Sequence, residues 1–195
     1  NRTGIFTTGI VSQVGAQTIY LYCTGRNHAG ENMADLLSKR ASGLDPPILM
    51  CDAASRNAPK NRKTVLAHCL VHGRRKFVEI RSSFPDPSRY VIEALAQIFY
   101  HDKQTREQKY TDRQRLLYHQ HKSKPIMNNL KIWMKKQFEQ RLVEPESSLG
   151  KAFRYLLRHW SELTLFLRLE GAPLHSNIVE RALKKAILNR KNAYF

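Results

Sequence analysis

Acidic residues are scarce in this chain. Sixteen Asp plus Glu stand against thirty-three Lys plus Arg in 195 residues, a formal net charge of +17. A surface that basic repels itself unless a polyanion neutralises it, and nucleic acid is the default partner. A ribosomal or membrane-surface role is the plainer alternative. A second absence argues against the membrane: no apolar run approaches the roughly 18 residues that a spanning helix needs. No signal-peptide pattern opens the chain. Cysteines are few and odd in number, Cys23, Cys51 and Cys69, which suits a reducing cytoplasm better than a disulfide framework. Internal repeats and low-complexity tracts are missing too. Apolar residues are not: at 42% hydrophobic the chain has the composition of an ordinary folded protein. Its length allows one domain with a core, or one domain carrying an inserted helical lobe. It begins at Asn1 and is strand-like by Ile5, so it reads as a piece of something longer.

Residues 4–11 (GIFTTGIV) and 17–23 (QTIYLYC) are rich in β-branched and aromatic residues and read as an antiparallel hairpin turning at Ser12–Ala16. In HAGENMADLLSKRASG the stripe Ala34, Leu37, Ala41 predicts a helix with Gly43 as its stop. ILMC, residues 48–51, is a short apolar run of the kind expected for a strand buried on both faces, and it ends at Asp52. TVLAHCL, residues 64–70, is another short apolar segment, strand or helix; the basic HGRRKF after it reads as helical. This order makes the chain α/β. From Pro85 to about Glu146 the chain is long, polar and helix-prone, with Pro125 and Pro145 as punctuation. Ile92, Leu95, Ala96 and Phe99 form one stripe, and Leu130, Trp133, Met134 and Phe138 another; these aromatics are expected in the core rather than as base-stacking platforms. Leu149, Phe153, Leu156, Trp160, Leu163 and Leu167 recur at the spacing of one amphipathic helix. A last helix runs from about Ser176 to Asn189, with Ser176 or Asn177 as N-cap and Val179, Leu183, Ala186 and Ile187 as its buried stripe.

Two carboxylates attract attention. Asp52 follows an apolar strand, and the C-terminal ends of such strands are where α/β sheets bind ligands; a turn or N-cap Asp is the alternative. Glu180 could simply pair with Lys184 one turn on. After Glu180, however, come Arg181, Lys184, Lys185, Arg190 and Lys191 with no acid among them. A lone carboxylate heading a basic helix suits phosphodiester chemistry, in which carboxylates hold a divalent metal and cations hold the DNA backbone. Mg²⁺ prefers hard oxygen ligands, so Asp and Glu from different elements make its natural cage. In HCLVHGRRKF, His68, Cys69 and His72, with distant Cys51, match no standard zinc spacing. His72, Arg74, Arg75 and Lys76 are better read as DNA contacts, against the alternative of a solvated basic face.

MCDAASRN, AHCLVHGRRKF, GKAFRYLLRHWSELTLFL and, most specifically, NIVERALKKAILNRKNAYF resemble insertion-sequence-66-type transposases along essentially the whole chain. The resemblance implies a ribonuclease-H-like fold, a mixed sheet flanked by helices, with a DDE triad and a helical insertion between the second Asp and the Glu. Asp52 matches the second Asp and Glu180 the Glu. The family's H-x-R-R-x-F element falls on His72 to Phe77, and its terminal E-R and R-K-N on Glu180-Arg181 and Arg190-Lys191-Asn192. The expected organisation is a sheet portion over 1–83, the insertion over 84–146 and closing helices over 147–195. Asn177 and Asn192 would support the site.

A transposase of this kind would cut and join DNA with two Mg²⁺ (or Mn²⁺) ions, act on element ends and target DNA as a homo-oligomer, and work in the bacterial cytoplasm at the nucleoid. Two departures count against activity. The family's first Asp lies on a strand upstream of the opening hairpin, and no Asp precedes Asp35 here. The family pattern D-N-N-x-x-E-R reads His175-Ser176-Asn177 in its first half. A decayed remnant that only binds DNA, or a nuclease of the same fold, therefore stays open beside the working transposase.

Overall fold

The computed structural model describes residues 4–15, 17–60 and 63–192, the last eight of these by backbone alone. It is mixed α/β and divides into two compact units, one of residues 1–66 with 176–195 and the other of residues 67–175.

The first unit opens with the expected hairpin. Strand β1 (Phe6–Val14) pairs antiparallel with β2 (Gln17–Gly25), in register from Phe6 opposite Gly25 to Val14 opposite Gln17. The turn is tighter than the sequence suggested. Ser12 and Gln13 stay in the ladder, and the chain reverses at Gly15, whose φ of 56° a two-residue hairpin turn requires. Thr8 and Ile10 of β1 are buried, whereas β2 is largely exposed. Helix α1 (Ala29–Ser38) starts on a capping box in which the Glu31 carboxylate accepts the His28 N–H at 2.7 Å. It is tied to β1 where Asn32 Nδ2 donates to Thr8 Oγ1 at 3.0 Å. It ends five residues before Gly43, which takes a left-handed φ of 86° in the following loop.

Strand β3 (Ile48–Cys51) follows, and its four residues are half-buried rather than covered on both faces. Its partner in a second two-stranded sheet is β4 (Val65–His68), whose first N–H donates to the Pro47 carbonyl. Among the described residues the strands thus pair as two separate two-stranded sheets, where the resemblance implied one mixed sheet. The unit closes with α7 (Asn177–Asn192).

The second unit is helical: α2 (Leu70–Ile80), α3 (Pro85–Glu107), α4 (Asp112–Glu139), α5 (Ser148–Arg158) and α6 (Trp160–Leu163). Proline at N1 of α3 has no N–H to waste, and Thr111 with Gln114 forms a capping box at the start of α4. Pro125 does not interrupt α4. A proline inside a helix costs about 3 kcal/mol, and the buried face Ser123, Met127, Leu130, Met134 that continues through it offsets this by burying about 2 kcal/mol per large side chain. On α3 the buried stripe is Val91, Leu95, Ile98, rotated from the expected one so that Ala96 is exposed. The six apolar positions from Leu149 to Leu167 are all buried, but not on one helix. The chain bends at His159 and again at Thr164, whose hydroxyl donates to the Trp160 carbonyl at 2.6 Å.

An acidic side chain lies inside this unit. Asp102 on α3 is 2% exposed; its carboxylate accepts from Arg115 at 2.7 Å and meets Arg106 at 3.3 Å, His119 at 3.6 Å and His175 at 3.9 Å. Burial pushes the Asp102 carboxyl up, but hydrogen bonding from His119 and the adjacent Arg115 outweigh it and hold the pKa at about 2.

Candidate metal and nucleic-acid site

Asp52 directly follows β3 and is half-buried. Its Oδ1 accepts the Ala54 N–H at 3.2 Å and Asn57 Nδ2 at 2.5 Å, closing the loop that runs into a short 3-10 turn at Ser55–Asn57. So the turn reading of Asp52 is part of the answer: it shapes its own loop. An ionised carboxylate accepts about four hydrogen bonds or ligands, so two donors leave capacity for a metal. Helix α1 presses on the same loop. A Cβ on Gly30 would meet the carbonyl oxygens of Ala58 and Arg56, the latter at 2.8 Å. Only glycine lets α1 approach the Asp52 loop this closely.

Glu180 sits in the first turn of α7, half-buried, with its N–H on the Ser176 carbonyl at 3.2 Å. A carboxylate there meets the positive end of the helix dipole. Asn177 is the first residue of this helix. Two contacts place α7 on the hairpin. Leu183 packs where Gly9 of β1 has no side chain, since a Cβ there would lie 2.8 Å from Leu183 Cδ2. Tyr22 of β2 donates its hydroxyl to the Ala182 carbonyl at 3.1 Å. Ala182 is buried, Val179 and Leu183 half-buried, and Arg181 and Lys184 exposed. The side chains of Lys185, Ala186, Ile187, Arg190, Lys191 and Asn192 lie outside the described residues.

Asp52 and Glu180 therefore belong to the same compact unit: α7 rests on the hairpin, and the Asp52 loop rests on α1, which is tied to β1. Both are hard oxygen donors, the chemistry that Mg²⁺ and Mn²⁺ select. His72, Arg74, Arg75 and Lys76 belong to the other unit, on α2. There Arg75 is exposed, Arg74 is half-buried, and the Lys76 ammonium lies 4.4 Å over the Tyr155 ring. Phe77 of the same element is core, 5.9 Å from Phe153.

Asn57, Gly30, Tyr22 and Gly9 are contacts of the site that the sequence alone did not mark. Asn57 could have been found, because D-x-x-x-x-N places an amide within loop reach of the carboxylate. The other three act across elements. His175, the departure from the family pattern, faces buried Asp102.

Among the described residues, no helix is long and apolar enough to cross a membrane. The Transposase IS66 family matches the chain over residues 8–195. The uncharacterized protein y4jD of Sinorhizobium fredii (strain NBRC 101917 / NGR234) is 36% identical over 131 residues, 67% of this chain and 25% of its own length. From the same organism, y4hP is 29% identical over 167 residues (79% and 28%), and y4qI 31% over 173 (83% and 31%), both uncharacterized proteins. The chain thus spans between a quarter and a third of these curated relatives. No solved structure matches it significantly.

Proposed function

The chain belongs to the Transposase IS66 family, and from that premise we propose that it supplies Asp52 and Glu180 to the active site of a DNA transposase. The observation that carries this reading is the family match over residues 8–195 together with the position of the two carboxylates, one ending a strand and one opening a basic helix, in one compact unit. The fold is read as ribonuclease-H-like, with residues 84–146 as a helical insertion. Asp52 and Glu180 would hold Mg²⁺ or Mn²⁺. Bound there, such ions activate a water or 3′-hydroxyl and neutralise charge on the leaving oxygen.

The protein's own groups do the rest. Asn57 and the Ala54 N–H keep the Asp52 carboxylate turned into its loop. Tyr22 and Gly9 fix the helix that carries Glu180. Arg181, Lys184, Lys185, Arg190 and Lys191 on α7, and His72, Arg74, Arg75 and Lys76 on α2, would grip phosphates, the sequence-independent part of DNA binding.

The test is joining of element-end DNA to a target by the intact protein with Mg²⁺. Asp52→Ala and Glu180→Ala should each lower joining by at least about 100-fold, the upper end of what losing even a partner that only supports a metal ligand costs. Full activity in either variant removes that residue from the site. DNA binding without joining by the unaltered protein would favour a remnant that only binds.

A further inference from the structure

We propose that His68, His159 and Glu162 form a Zn²⁺ site that lies wholly within the unit of residues 67–175 and pins the end of β4 to the bend between α5 and α6. The three side chains come from two places in the chain. His68 is the last residue of β4 and is buried. His159 stands at the junction of α5 and α6, and Glu162 follows three residues later. The Leu163 N–H on the His159 carbonyl, 2.9 Å, closes that turn, and residues three apart on a helical turn share a face. One ligand atom from each of the three side chains lies within 4.8 Å of the other two.

Ring packing explains part of this. The His68 and His159 rings meet edge to face at 5.1 Å and 83°. Such a pair needs no carboxylate, yet Glu162 arrives at the same point. Two imidazoles and one carboxylate are one of the donor sets of three-ligand zinc sites, which leave a fourth position to water. A tetrahedral zinc with ligand bonds near 2 Å holds its donor atoms about 3.3 Å apart, a closure within reach of side-chain rotation from 4.8 Å. Nitrogen donors also separate this site from the carboxylates assigned above: imidazole favours zinc, whereas oxygen-only sets favour Mg²⁺ or Mn²⁺. The site gives a reason for the bend at His159, where an apolar stripe long enough for one helix is broken in two.

The experiment titrates the purified, metal-stripped full chain with Co²⁺, a coloured probe for zinc sites, and then with Zn²⁺. One Co²⁺ per chain should bind with the strong visible absorption of low coordination number, be displaced by one equivalent of Zn²⁺, and raise the unfolding temperature. His159→Ala and Glu162→Gln should each weaken binding at least about tenfold, whereas Asp52→Ala and Glu180→Ala should leave it unchanged. Glu162→Gln keeps the side chain's size, so it decides the matter if His159→Ala does not fold. No strong absorption in the parent, or absorption that survives Glu162→Gln, overturns the proposal. So does absorption abolished by Asp52→Ala, which would instead place the ion at the transposase carboxylates.

Discussion

In the unit of residues 67–175, Phe77, Leu95, Ile98, Met127, Leu130, Met134 and Phe153 are each at most 1% exposed. In the unit of residues 1–66 and 176–195, the described residues have only two buried apolar side chains, Ile10 and Ala182, and each is still 8% exposed. Among the described residues, the more sparsely packed unit is the one carrying Asp52 and Glu180, the carboxylates proposed for the site. Where a core is deep, the stability of the fold rests on it, and a change of even one methylene is felt there. Where it is thin, position rests on a few specific contacts, and here these can be named: Gly30 against the Asp52 loop, Gly9 under Leu183, and Tyr22 on Ala182. Variants in the two units should therefore separate stability from activity.

The largest effect belongs to the deep unit. Asp102→Ala removes the acceptor of Arg115 and leaves that half-buried charge without its counterion, a loss towards the lower end of the roughly 3–5 kcal/mol that breaking a fully buried pair costs. Chemical denaturation followed at Trp133 or Trp160 should show it; a loss below about 1 kcal/mol would mean the network is worth no more than a surface pair. The same carboxylate sets an acid limit. Its folded pKa, about 2, lies below the ordinary 3.8, so its contribution is complete above pH 4 and is lost as pH falls towards 2. The shift corresponds to about 2 kcal/mol. Asp102→Ala should flatten stability across that window.

How much of this was legible beforehand follows from the range of each interaction. The hairpin, α1, β3 and the start of α7 all announced themselves, because alternation, helical stripes and caps are local signals within one element. The positions of Asp52 and Glu180 were legible for the same reason. Pro125 and His159 misled: a local rule breaks the chain at Pro125 and runs on through His159, while tertiary packing did the reverse at both. Asp102 gave no signal at all. On α3 it looks like any solvated acid, and its partners Arg115, His119 and His175 stand on other segments.

A matched pair of glycines sharpens the comparison at intermediate size. Gly30→Ala drives a methyl into backbone carbonyls of the Asp52 loop, and overpacking against rigid groups costs roughly 1–3 kcal/mol. Gly73→Ala on α2 meets the end of the buried Leu156 side chain, at 2.7 Å, rather than backbone; that side chain must shift, while alanine gains up to about 1 kcal/mol in helix propensity. DNA joining should fall with Gly30→Ala and hold with Gly73→Ala. Equal losses in both would deny that the thin unit is the sensitive one.

The smallest change is Tyr22→Phe. It deletes one hydroxyl whose hydrogen bond to the Ala182 carbonyl contributes about 1 kcal/mol. In the deep unit such a loss would register in global stability. In the thin one it loosens the turn of α7 that follows Glu180, and the consequence should be local. Amide exchange should quicken in the first turns of α7 while α3 and α4 keep their protection. Joining should drop more than a global loss of about 1 kcal/mol can explain, since a protein several kcal/mol stable stays folded after it. If α7 exchanges as before and joining is intact, the hairpin does not position Glu180.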